Sequence, residues 1–146
     1  MTKNNFKRGF TLFELLVSIS IIGILMAVST VAFSNAQRKS RDARRREDMQ
    51  AIQKAFEQHY ADSGYVYDGV SANCATILAD TSVLPAGAPI DPKNSGSYIY
   101  SFTGSCDIVN NTYCVCALLE QAGTGNSGAS CAWATGGNYY CVQSVQ

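Results

Sequence analysis

The sequence predicts an α+β protein in which one long N-terminal α-helix, apolar in its first half and amphipathic in its outer half, packs on a small antiparallel β-sheet head with disulfides. Three observations lead there. The stretch from Phe10 to Phe33 contains a single ionisable side chain, Glu14. The segment from Ser34 to Asp62 contains neither proline nor glycine and is rich in good helix formers. All six cysteines, Cys74, Cys106, Cys114, Cys116, Cys131 and Cys141, fall after residue 70. At 146 residues, 47% hydrophobic and 15% charged, the chain has room for one modest domain plus accessory segments.

Residues 1–9, "MTKNNFKRG", are short, polar and basic, end on a small residue, Gly9, and read as a leader. Residues 10–34 form the span: about 24 apolar residues are enough to cross the roughly 30 Å hydrocarbon core as a helix. An ordinary secretory signal, with Ser34 and Ala36 near a cleavage point, fits less well, because the apolar run is too long for an h-region and carries a glutamate. Residues 35–62 continue the helix. Met49, Ile52, Phe56 and Tyr60 recur at helical spacing as one apolar stripe that needs a partner surface. If the two segments are continuous, one helix runs from about Phe10 to Asp62 and is on the order of 80 Å long.

Residues 63–146 form the head, where the pattern changes to short runs between turn residues. "SYIYSF" alternates Tyr98, Tyr100 and Phe102 as a half-buried strand does. "CDIVNNTYCVCALLE" reads as two strands about an Asn110-Asn111 turn, and "SCAWATGGNYYCV" as two more about Gly136-Gly137. Ser71 to Lys93, with Pro85, Pro89 and Pro92, is an irregular connection. An even number of cysteines in so loop-rich a segment points to disulfides and an oxidising, exported location. Cys114 and Cys116 share one face of a strand, so each is expected to pair elsewhere. A three-residue loop at Gly136 would set Cys131 opposite Cys141, leaving Cys114 and Cys116 to bond Cys74 and Cys106. A two-residue turn would shift that register by one.

The charges are uneven. Lys3, Lys7 and Arg8 favour a cytoplasmic N-terminus, but Arg38, Lys39, Arg41, Arg44, Arg45 and Arg46, diluted by Asp42, Glu47 and Asp48, are also net basic. The positive-inside rule therefore does not fix orientation. Six cations in so short a stretch raise phosphate binding, yet helical spacing scatters them around the axis. A solvated face near anionic headgroups, or pairing with neighbouring subunits, is the simpler reading, and nucleic acid is not expected as a partner.

No enzyme, cofactor or metal site is expected. His59 lies beside the apolar stripe, Cys114-Val115-Cys116 lacks Cys-x-x-Cys redox spacing, and nothing pairs a nucleophile with a base. A four-cysteine zinc site is conceivable, but an exported location favours disulfides.

"RGFTLFELLVSISIIGILMAV" resembles the N-terminal processing and methylation signature of type IV pilins and the pseudopilins of type II secretion. The resemblance implies that a prepilin peptidase cuts after Gly9 and methylates Phe10, and that Glu14, fifth in the mature chain, acts in assembly. It implies a structural subunit stored as a single-pass precursor in the cytoplasmic membrane, head outside. The subunit is then polymerised with copies of itself, an assembly-platform membrane protein and minor pilins into a type IV pilus-like filament at the cell surface or in the periplasm. "PIDPKNSGSYIY" also resembles the Asp-Pro segment of G-type major pseudopilins, so a type II secretion or DNA-uptake pseudopilus is the alternative. A membrane-anchored extracytoplasmic binding domain that never polymerises is the rival of another class.

Glu14 has a physical reading beside the resemblance. An unpaired carboxylate near a span's end favours protonation or a partner. Cleavage after Gly9 creates an amine on Phe10, four residues and about 6 Å along the axis from Glu14. The amine of an incoming subunit is expected to pair with Glu14 of a neighbour and set its height in the filament.

Overall fold

The structure, a computed structural model, describes residues 9–64, 67, 78, 81, 83–100, 106–107 and 110–146. The leader before Gly9, Cys74 and Phe102 lie outside the described residues. The chain divides into two compact units, Met1–Gln37 and Arg38–Gln146, and a single helix, α1 (Leu12–Asp62), contributes to both.

In the first unit every described side chain is exposed. The helix here is long and apolar enough to cross a membrane, with none of its apolar window buried against the chain. Its few hydroxyls do not break that character. Ser18 donates to the Glu14 carbonyl at 2.7 Å, Ser20 to Leu16 and Ser29 to Leu25 at 2.8 Å, and Thr30 to Ala27 at 3.0 Å. Each of these four hydroxyls is thus satisfied inside the helix, as a lipid environment requires.

In the second unit the outer part of α1 lies on a five-stranded antiparallel sheet. Its strands are β1 (Cys106–Asp107), β2 (Thr112–Leu118), β3 (Gly125–Ser127), β4 (Trp133–Gly137) and β5 (Tyr139–Gln143), in the spatial order β1-β2-β5-β3-β4. The expected stripe finds its surface: Met49, Ile52 and Phe56 are fully buried, with Tyr60 packed against them. Phe56 meets Tyr113 edge-on with ring centroids 4.6 Å apart, and Tyr67 lies between Tyr113 and Tyr60 at 4.8 and 4.5 Å. Strand β2 alternates strictly, so Tyr113, Val115 and Ala117 face α1 while Cys114, Cys116 and Leu118 face away.

The Asn110-Asn111 turn is where the sequence places it, with Cys106 opposite Tyr113 and Asp107 opposite Thr112. Asn111 takes a positive φ of 52°, which asparagine tolerates. Two expectations are corrected. Tyr98 and Tyr100 do not form a strand: Asn94 and Gly96 turn the backbone through positive φ, and Tyr98 makes only an isolated bridge to Ser95. Their alternation reflects two separate tasks. Tyr98 presents its ring to Arg45 and Lys93 at 4.7 and 4.2 Å, and Tyr100 donates to Asp48 at 2.9 Å.

The Gly136-Gly137 hairpin is also corrected. β4 and β5 do not pair, because β3 lies between them, with Gly125 opposite Gly137 and Ser127 opposite Tyr139. Bare glycines permit that insertion. A Cβ on Gly137 would collide with the Ser127 backbone, and one on Gly125 with the Tyr139 backbone.

Candidate functional site

The residues that the sequence singles out fall in three places. The first is the start of α1. Thr11 caps the helix: its Oγ1 accepts from the Glu14 N–H at 3.2 Å, while its own N–H and hydroxyl both donate to Glu14 Oε2 at 2.9 Å. This is a capping box, in which an N-terminal Thr and a Glu three residues on satisfy each other's orphan donors. The T-x-x-E spacing "TLFE" carries that signal, and treating Glu14 only as a charge overlooks it. Among the described residues Oε1 of Glu14 has no hydrogen-bond partner, so the cap engages one carboxylate oxygen and leaves the other. Gly9 and Phe10 precede the helix and are exposed. A Cβ at Gly9 would meet nothing within 4 Å among the described residues.

The second place is the basic segment, and here the expectation of a solvated face is corrected for Arg41 and Arg45, while Arg38, Lys39 and Arg44 are exposed. Arg45 is fully buried. It donates through Nε and Nη2 to the two oxygens of Asp91 at 2.6 and 3.0 Å, and through Nη1 to Asp42 at 2.7 Å and Glu120 at 2.9 Å. Arg41 forks onto both oxygens of Glu120 at 2.7 Å, and Arg44 pairs with Asp48 at 3.1 Å. The carboxylates are held in turn by backbone: Asp42 accepts from Glu120 and Gln121 N–H, and Asp91 from Lys93 and Asn94 N–H. Burial opposes the charge of Arg45, but its three carboxylate partners outweigh that and raise its pKa. Arg41 first, against burial and with Arg45 in support, holds Glu120 down to about 2. Burial likewise works against ionised Asp91, yet Arg45 and the two backbone N–H groups keep its pKa low. Arg41 and Arg45 therefore pair with carboxylates of the head, while Arg44 pairs with Asp48 on α1 itself. Asp91 and Glu120 are 46 and 75 residues from Arg45, a separation that helical spacing cannot reveal.

A second polar junction is Glu57, which accepts from the Tyr67 and Tyr113 hydroxyls at 3.0 and 2.9 Å and from the Val145 N–H at 3.2 Å. Burial, then Glu57, pushes the Tyr67 hydroxyl up to about 12 and raises Tyr113 as well.

The third place is the sheet face turned away from α1. Antiparallel register sets Cys116 opposite Cys141, and these two form one disulfide. Cys114, two residues earlier on the same face, bonds Cys131, carried over the face by a 3-10 turn at Ala129–Cys131. This corrects the expected Cys131–Cys141 bond, and its cause is the missing β4–β5 hairpin: with β3 inserted, Cys141 faces β2 instead. Cys106 is also disulfide-bonded and stands in register with Tyr113, away from this cluster. The four sulfurs of Cys114, Cys116, Cys131 and Cys141 all lie within 4.8 Å of one another.

An apolar, capped helix whose side chains are exposed among the described residues, followed by a small disulfide-linked head, fits a single-pass membrane-anchored precursor. Residues 4–30 match the family model of the prokaryotic N-terminal methylation motif, so the chain carries the signature of type IV pilins and pseudopilins. That motif takes in Gly9, Phe10, Thr11 and Glu14 and suggests a structural subunit. No curated protein and no solved structure matches the chain.

Proposed function

We propose that the chain is a filament subunit, cut between Gly9 and Phe10, methylated on Phe10 and polymerised through its apolar helix into a type IV pilus-like filament with the heads outside. The observation that carries this reading is the methylation motif on a helix whose apolar side chains are not buried among the described residues. Membrane lipid covers them in the precursor, and copies of the same helix cover them in the filament. Prepilin peptidase accounts for Gly9, where the packing of the described residues leaves room for a side chain. An assembly platform and minor pilins complete the set of partners.

The capping box sharpens the part played by Glu14. Oε2 serves the helix, and Oε1 is left for the Phe10 amine of a neighbouring subunit. Glutamine also completes a capping box, so Glu14→Gln keeps the cap and removes only the charge. Glu14→Gln should be inserted and cut but assemble poorly, whereas Glu14→Asp should assemble better. Filaments of normal number and length from Glu14→Gln would end the charge-pair account.

Mass spectrometry of the mature N-terminus tests the whole reading, with methylated Phe10 as the expected result. Gly9→Lys should leave a full-length, membrane-held precursor and no filaments. An uncut Gly9–Phe10 bond in the native protein, monomeric in detergent, would favour an anchored domain that never polymerises. Long filaments on cells distinguish a pilus from a secretion or DNA-uptake pseudopilus.

A further inference from the structure

We propose that the four-cysteine cluster has two forms: two disulfides when oxidised and, when reduced, a tetrathiolate site for one zinc ion. A tetrahedral zinc site with Zn–S bonds of about 2.3 Å places its sulfurs about 3.8 Å apart. Across the two disulfides, Cys116 Sγ already lies 3.5 Å from Cys131 Sγ, and no pair of the four sulfurs exceeds 4.8 Å. Reduction has only to let each bonded pair part to that same spacing, a change within reach of side-chain rotation while β2 and β5 keep their register.

The scaffold favours closure of the site. Cys114, Cys116 and Cys141 are fixed on two paired strands, so three ligands are set by sheet geometry. The fourth, Cys131, comes from the 3-10 turn, where Ser130 and Cys131 hold positive φ of 56° and 60°. Outside glycine and asparagine that conformation is uncommon and costly unless its surroundings hold it. Cys141 is buried and the other three are half-buried, which shields a bound ion. An open groove of about 430 Å³, lined in part by Cys114, Cys131 and Trp133, gives a reductant or a metal ion its way in. Four sulfur donors select a soft ion such as zinc or cadmium over calcium or magnesium.

The chemistry balances with a phosphine as reductant. Each disulfide takes up one phosphine and one water and yields one phosphine oxide and two thiols. Zinc binding then expels four protons and leaves a site of net charge −2. Cys106 is outside the site, on the opposite face of the sheet beside Tyr113.

The test uses the full chain in detergent, reduced with a phosphine under anaerobic conditions. Cobalt(II) should bind at one ion per chain with the intense red-visible absorption of tetrahedral thiolate coordination, and zinc should displace it. In a second measurement, zinc should protect Cys114, Cys116, Cys131 and Cys141 from alkylation while Cys74 and Cys106 react, and a chelator should restore reactivity. Cys131→Ser should weaken binding at least tenfold, and Cys106→Ser should leave the stoichiometry unchanged. Alkylation of the four cysteines as fast with zinc as without, protection of a set that includes Cys74 or Cys106, or a weak octahedral cobalt spectrum would each overturn the proposal. The alkylation map needs no variant, so it decides the matter even if a substituted chain fails to fold.

Discussion

The two halves of α1 make the same secondary structure under opposite conditions. Between Arg38 and Asp62 the chain supplies every partner itself: Met49, Ile52 and Phe56 meet the sheet, and even Arg45 and Asp42 are buried because carboxylates and backbone N–H groups answer them. Between Leu12 and Gln37 no side chain is buried among the described residues. Fifteen large apolar side chains from Phe10 to Phe33 stand exposed. At about 1.5–3 kcal/mol each when fully buried, leaving them in water costs on the order of tens of kcal/mol. That exceeds the roughly 5–15 kcal/mol by which a whole domain is stable. One half is therefore completed within the chain, and the other only by lipid or protein from outside.

The largest test of that contrast is Arg45→Met, which leaves Asp42, Asp91 and Glu120 facing one another without their central cation. The head should lose about 3–5 kcal/mol, read as a lowered urea midpoint in the near-ultraviolet circular dichroism of the full chain in detergent. An equally drastic change in the apolar half, Phe33→Ala, should change the head's stability by no more than about 0.5 kcal/mol.

Acid provides the next largest effect. Glu120 titrates near 2 in the folded head against an ordinary 4.5, so its contribution is complete above about 4.5 and is lost as the pH falls toward 2. Over that window the head should lose up to about 3 kcal/mol, and Asp91, also depressed, adds in the same direction. Glu120→Gln should be less stable at neutral pH and show a flatter acid limb. An unchanged acid limb in that variant would remove Glu120 from the account.

Glycine to alanine is a smaller change and separates the halves within one substitution type. Gly137→Ala drives a Cβ into the Ser127 backbone and should cost about 1–3 kcal/mol of head stability. Gly23→Ala, with nothing within 4 Å, should leave the same denaturation curve in place. Smallest and most local is Thr11→Ala. Loss of the cap should cost about 1 kcal/mol at the helix start, visible as faster amide exchange in its first turn with no change in the head.

The apolar span, the stripe Met49, Ile52, Phe56 and Tyr60, and the Asn110-Asn111 turn were legible because each is set by residues near one another in sequence. The capping box was equally local, in "TLFE", but is visible only when Glu14 is read as a hydrogen-bond acceptor as well as a charge. What could not be read depends on distant partners. Arg45 looks like any surface arginine until Asp91 and Glu120 are folded onto it. The disulfide pairing hinged on whether consecutive strands β4 and β5 are spatial neighbours, and two glycines that admit β3 between them decide otherwise.

The strand order also bears on how the protein is made. β5 follows the other four described strands yet lies at the centre of the sheet, where it pairs with both β2 and β3. Until Tyr139–Gln143 has left the ribosome, the sheet is two separate pieces, β1 with β2 and β3 with β4. The helix that fits a membrane is synthesised first, and the strand that permits the head to fold is synthesised after all the others. A nascent chain ordered this way keeps its head open during elongation, which is the state in which a polypeptide can still be threaded across a bilayer. Ribosome-bound chains arrested before Tyr139 should be cut by protease within β2 and β3, and resistance of those strands at that stage would contradict it.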